Sequence, residues 1–117
     1  MYEGFAAQLG ESIRAARHLA GLSREEVAEA VGLPTRLYSR VERGKLLPSV
    51  WVLAQLSATL GTRASELLRP ASREELELAE AAAALPRALV RELLALPEEV
   101  RAALRAELKA RTPQATS

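Results

Sequence analysis

Thr35, Arg36, Ser39 and Arg40 are the residues whose types and spacing promise chemistry. The two hydroxyls are four residues apart, and so are the two arginines. On a helix that places each pair one turn apart on one face. A guanidinium presents a rigid fork of N–H donors that matches two acceptors side by side, while a hydroxyl both donates and accepts. The set suits recognition by hydrogen bonding rather than bond making. Taken alone, Arg36 and Arg40 read as two solvated surface charges. Bond-making chemistry has little to work with, since the chain has no cysteine, no aspartate and one histidine, His18, without an orienting partner. It also lacks a glycine-rich phosphate loop and any metal-ligand spacing. The expectation is a binding protein and not an enzyme, with no metal and no cofactor.

The stretch from Leu22 to Pro48 must position those side chains. Ser23 and Glu26 have the spacing of a capping box, and Leu22 and Val27 that of a hydrophobic staple. Val27, Ala28 and Val31 then recur at helical spacing and form one buried face. Gly32 can end the helix in a left-handed conformation. Pro34 suits the first turn of a second helix, where a missing amide proton matters least. In that helix Tyr38 and Val41 point inward, and Thr35, Arg36, Ser39, Arg40 and Arg43 fall opposite. Gly44 closes it and Pro48 bars continuation. The spacing predicts helices over about 24–31 and 35–43 joined by a tight turn.

Further elements must hold this pair. Residues 1–7 read as a short, loosely packed leader. A helix over 8–20 has Leu9, Ile13 and Ala16 inward and ends at Gly21. Ser49 caps a helix that runs to Leu60, with Leu53, Leu56 and Leu60 as its core face, and Gly61 stops it. A short helix covers 64–68. Arg69-Pro70-Ala71 reads as a boundary, after which Ser72 and Glu75 form a second capping box for a helix to about 84. Leu85-Pro86 and Leu96-Pro97 then precede two helical patterns, one with Leu89, Val90, Leu93 and Leu94, the other with Val100, Leu104 and Leu108. The fold class is all-α: a five-helix domain over 8–68, a C-terminal helical hairpin over 72–111, and a disordered tail at 112–117. Abundant alanine and leucine, with only four aromatic residues, favour helix over sheet.

Net charge is only +1, but its distribution is uneven. Between Thr35 and Arg63 the cations are Arg36, Arg40, Arg43, Lys45 and Arg63, and Glu42 is the only anion. After Leu68 eight cations meet eight anions, so that part carries no electrostatic signal. No signal peptide or long apolar run is present, which predicts a soluble cytoplasmic protein with no membrane partner.

Residues Leu22-Ser23, Glu26, Ala28, Gly32, Ser39-Arg40-Val41-Glu42-Arg43-Gly44-Lys45 and Pro48-Ser49 resemble the helix-turn-helix of the Cro and lambda-repressor type, the xenobiotic-response-element family. The match extends to Leu9-Gly10, Ile13-Arg14 and Arg17 upstream and to Leu60-Gly61 and Glu66-Leu67-Leu68 downstream. It covers roughly residues 8 to 68 without a gap. The resemblance implies a sequence-specific transcriptional regulator, prokaryotic or phage and nucleoid-associated, with double-stranded DNA as partner. It assigns base reading to Thr35, Arg36, Ser39 and Arg40, phosphate contact to Arg24, Arg43 and Lys45, and an internal ion pair to Arg17 and Glu42. Arginine grips guanine O6 and N7 with two parallel bonds, worth about 1–3 kcal/mol against a wrong base.

Several positions depart from the family pattern. Pro34 replaces a capping serine. Leu37, Leu46, Leu47, Trp51 and Val52 stand where polar residues are usual. Tryptophan on the outside of a helix suggests a surface covered by a second subunit or by the C-terminal hairpin. Leu47, Trp51, Leu89, Leu93, Val100, Leu104 and Leu108 are therefore the expected dimer or hairpin contacts. A homodimer on a palindromic operator is the leading expectation. The alternative is an interaction adaptor or antitoxin that uses the same fold to bind a protein partner, with the C-terminal helices as a candidate contact.

Overall fold

Eight helices carry the residues described, 2–111, in a computed structural model of the chain. Met1, the tail at 112–117 and the side chains at 2, 3, 105 and 108–111 lie outside that description, so the Leu108 side chain and the expected disordered tail do too. The elements are α1 Tyr2–Ala20, α2 Arg24–Val31, α3 Thr35–Glu42, α4 Val50–Leu60, α5 Ala64–Leu68, α6 Arg73–Ala83, α7 Arg87–Leu94 and α8 Glu98–Arg111. No strand occurs among the described residues, and the class is all-α.

Local chemistry explains most boundaries. The Ser23 hydroxyl accepts from the Glu26 amide at 3.0 Å, and the Glu26 carboxylate accepts from the Ser23 amide at 2.8 Å. The same reciprocal pair, Ser72 with Glu75, opens α6, and Ser49 caps α4. Gly32 sits at φ 75°, where the chain turns from α2 to α3. Pro34 occupies the cap position just before α3, which begins at Thr35 as the spacing predicts; its φ of −59° prepares the helix without entering it.

The expected leader at residues 1–7 is corrected. Helix α1 begins at Tyr2, because Ala6 continues the inward row of Leu9 and Ile13 and is itself buried. Tertiary packing overrides the weak helix propensity of Gly4 and Gly10 there.

One core joins α1 to α5. Ile13, Val27, Tyr38, Val41, Leu56 and Leu67 are fully buried within it, packed with Leu9, Ala28, Val31 and Leu60. Each fully buried aliphatic side chain contributes about 1.5–3 kcal/mol. Helix α6 lies along α1. The junction between α5 and α6 is tied down by Gln8 Nε2, which donates to the Leu68 carbonyl at 3.0 Å, and Ser12 Oγ, which donates to the Arg69 carbonyl at 3.1 Å. Leu85-Pro86 and Leu96-Pro97 break the C-terminal part into three helices; α8 lies beside α6, and α7 turns onto α1. Among the described residues no helix is long and apolar enough to cross a membrane.

Candidate nucleic-acid interface

Helix α3 is held from below by a buried polar cluster. Its Glu42 carboxylate receives Arg17 Nε at 2.6 Å and Nη2 at 3.1 Å, the Tyr38 hydroxyl at 2.5 Å and Arg24 Nε at 3.3 Å. Arg17 also donates from Nη1 to the Leu22 carbonyl at 3.1 Å. The Arg17 and Glu42 side chains are 6% and 2% exposed, so neither charge has water to fall back on. One carboxylate thus ties α1, the start of α2 and the end of α3 together.

Electrostatics follow from that arrangement. Burial pushes the Glu42 carboxyl up, but the hydrogen bonds from Arg17 and Tyr38, with the charges of Arg17 and Arg24, outweigh it and hold the group below its ordinary range. Burial, then the Glu42 charge, pushes the Tyr38 phenol far above its ordinary value, so it remains a donor. Burial acts to lower Arg17, and its bond and charge contact with Glu42 raise it on balance. His18, beside Arg17, is lowered by burial and then by the charges of Arg17 and Arg14.

Two glycines set the height of α3. A β-carbon at Gly10 would stand 2.4 Å from the Val41 carbonyl oxygen and 2.5 Å from that of Glu42, so α1 and the end of α3 touch backbone to backbone. Gly44, at φ 73°, would bring a β-carbon to 2.7 Å from Ala7 Cα. It also closes α3, with the Lys45 amide donating to the Arg40 carbonyl at 2.8 Å.

With Tyr38, Val41 and Glu42 locked inward, the opposite face of α3 is left to solvent. Arg36 and Arg40 are exposed there, with Thr35 and Ser39 half-buried between them. Arg43 and Lys45 are exposed at the C-terminal end. Among the described residues the side chains of Arg36, Arg40, Arg43 and Lys45 make no hydrogen bond or ion pair. Arg24 is divided: half-exposed in the first turn of α2, it also contacts Glu42.

The residues expected at a dimer or hairpin contact do not gather in one place. Leu47 and Trp51 are exposed beside α3 and α4, Trp51 at 71%, and the C-terminal helices leave them uncovered. Leu89 and Val100 are exposed on α7 and α8. Leu93 and Leu104 line a cleft within the chain.

Sequence reasoning missed a link from α7 to the α2–α3 unit. Arg91 Nη2 meets both Glu26 oxygens at 2.6 Å, and Arg91 Nε donates to the Gly21 carbonyl at 2.9 Å. Val90 is buried beside Gly21, where an added β-carbon would lie 3.2 Å from Val90 Cγ1. Glu26 therefore serves both the α2 cap and the C-terminal segment, and its carboxyl is lowered by the Ser23 amide and then by Arg91. Arg91 follows Arg87 by four on a strongly two-sided helix, but nothing in that pattern names Glu26 as the partner.

A family model described as a helix-turn-helix domain matches residues 8–71. The chain is 36% identical over 61 residues to the uncharacterised HTH-type transcriptional regulator YazB of Bacillus subtilis (strain 168), which is 52% of this chain and 88% of that protein. No solved structure matches at a significant level.

Proposed function

Because the chain belongs to the helix-turn-helix domain family, we propose that it regulates transcription by binding double-stranded DNA sequence-specifically, in the manner of the Cro and lambda-repressor branch. The observation that carries this is the pair Arg36 and Arg40, exposed and unpaired on a helix whose other face is fixed by Tyr38 and Glu42. A helix of this width enters the major groove, where each base pair shows its own donor and acceptor pattern. Thr35, Arg36, Ser39 and Arg40 read base edges. Arg43 and Lys45, with the exposed part of Arg24, hold phosphate and set register and affinity.

One such module buries only about 600–1,000 Å² of protein surface on DNA. A two-fold dimer on half-sites about one DNA turn apart doubles the contacts. Trp51 and Val50, exposed at 71% and 85%, supply an apolar patch for that association. Selection of bound fragments from random DNA tests the reading: a palindrome with guanines in each arm supports it, and recovery of no common sequence overturns it.

The same apolar patch favours a second reading, an adaptor or antitoxin that holds a protein partner. A salt series separates the two. DNA affinity falls linearly in log–log form with a slope that counts the phosphates neutralised. Contact through Leu47, Val50 and Trp51 does not weaken in that way.

A further inference from the structure

A cavity of about 550 Å³ lies between α1, α6, α7 and α8, remote from the face of α3. Its volume falls within the range of about 300–1,000 Å³ typical of small-molecule sites. Leu78, Leu85, Val90, Leu93, Leu94 and Leu104 make most of its wall. The polar lining is small and specific. Arg101 contributes a guanidinium whose Nη2 binds Glu98 at 2.8 Å. Its Nε–H is closed off from solvent and has no acceptor. A desolvated donor of this kind is costly to leave unmade, so an acceptor placed beside it is favoured. The remaining polar groups are Ser72, Glu74 and Glu75 in the first turn of α6, with Glu75 held by Arg69 at 3.1 Å.

We propose that this cavity binds an apolar monocarboxylate, of the alkyl or fatty-acid class, with its head on Arg101 and its body among the leucines. The chemistry selects each part. An oxygen brought in on an apolar body gives the Arg101 Nε–H the acceptor it lacks, and a carboxylate oxygen there makes a charge-assisted bond. The leucine wall takes a chain and offers nothing to a sugar or a nucleotide. Beyond Arg101 the leucine wall offers no donor to a second carboxylate, whose desolvation disfavours dicarboxylates.

Titration calorimetry of the full chain with decanoate, in the absence of DNA, tests this independently of the regulator reading. Saturable one-to-one binding is expected, and Arg101→Met should weaken it about ten- to a hundred-fold, the loss of one charge-assisted contact. Leu93→Trp, which fills the cavity and leaves Arg101 in place, should abolish binding. Decanol and decanedioate should each bind the unaltered chain at least about ten-fold more weakly than decanoate, by the same reasoning. The proposal is overturned if decanoate shows no saturable binding, if Arg101→Met or Leu93→Trp binds it as well as the unaltered chain, or if decanol or decanedioate matches it.

Discussion

Replacing Glu42 by alanine tests the claim that one carboxylate holds α3 in place. The change strips the counter-charge from Arg17, whose side chain is 6% exposed and keeps the Leu22 carbonyl and a 3.5 Å contact with His18 Nε2. It also removes the acceptor of the fully buried Tyr38 hydroxyl. Breaking one side of a buried pair costs about 3–5 kcal/mol. An orphaned hydroxyl adds about 1–3 kcal/mol if it stays dry. The two terms belong to one network and do not simply add, so the upper half of the first range is expected. Against a total stability of roughly 5–15 kcal/mol this removes a large share. At about 4 °C per kcal/mol for a chain of this size, Tm should fall by roughly 16–20 °C. Thermal and urea unfolding followed by circular dichroism measure it directly. The triple change Arg17→Met, Tyr38→Phe, Glu42→Leu should recover most of the loss, because it removes the stranded polar groups together with their partner. If Glu42→Ala costs less than about 1 kcal/mol, smaller than a single buried hydrogen bond left unmade, the cluster does not fix α3 and the reasoning fails.

Three further outcomes are expected. Arg40→Ala should relax preference at one base position, whereas Lys45→Ala should weaken binding to all sequences alike and reduce the salt slope by about 1; competition binding across a salt series reads both. Gly10→Ala should lower stability by about 1–3 kcal/mol or more, since the obstacle is the carbonyl backbone of Val41 and Glu42 and not a side chain that can swing away; urea unfolding measures it. Acidification should destabilise the chain in two steps, seen as Tm against pH. The lowered His18 contributes stability that is complete above about pH 6.5, its unfolded value, and is lost as pH falls through its folded one. The lowered Glu42 contributes stability complete above about pH 4.3 and lost below that. His18→Gln should flatten the first step and Glu42→Gln the second.

Short-range signals in the chain were easy to read. Ser23 with Glu26, Ser72 with Glu75 and Ser49 are caps that act within four residues, and they place α2, α4 and α6 within a residue of where spacing puts them. The start of α1 was hidden because no cap marks it and two glycines lie inside it; burial of Ala6 decides the matter, and burial is a property of the assembled core. The pairing of Arg17 with Glu42 entered only through resemblance, since nothing in helical spacing joins residues 25 apart. Arg24 as a third donor to the same carboxylate, and Arg91 on Glu26, depend on how helices cross and have no signature in periodicity.

The seat of α7 on Gly21 joins backbone and side chain across 70 positions of the chain. Closing so long a loop from an open coil would cost roughly 4 kcal/mol in entropy. Once α6 lies along α1, however, only residues 84–86 remain to be ordered before α7 can dock. The expected order of assembly puts α1 to α5 first, then α6, with α7 last on a short tether. Helix α7 is held by Gly21 and Glu26 and follows α6 by a three-residue link, so α6 and α7 should both exchange their amide hydrogens ahead of the core that carries Arg36 and Arg40.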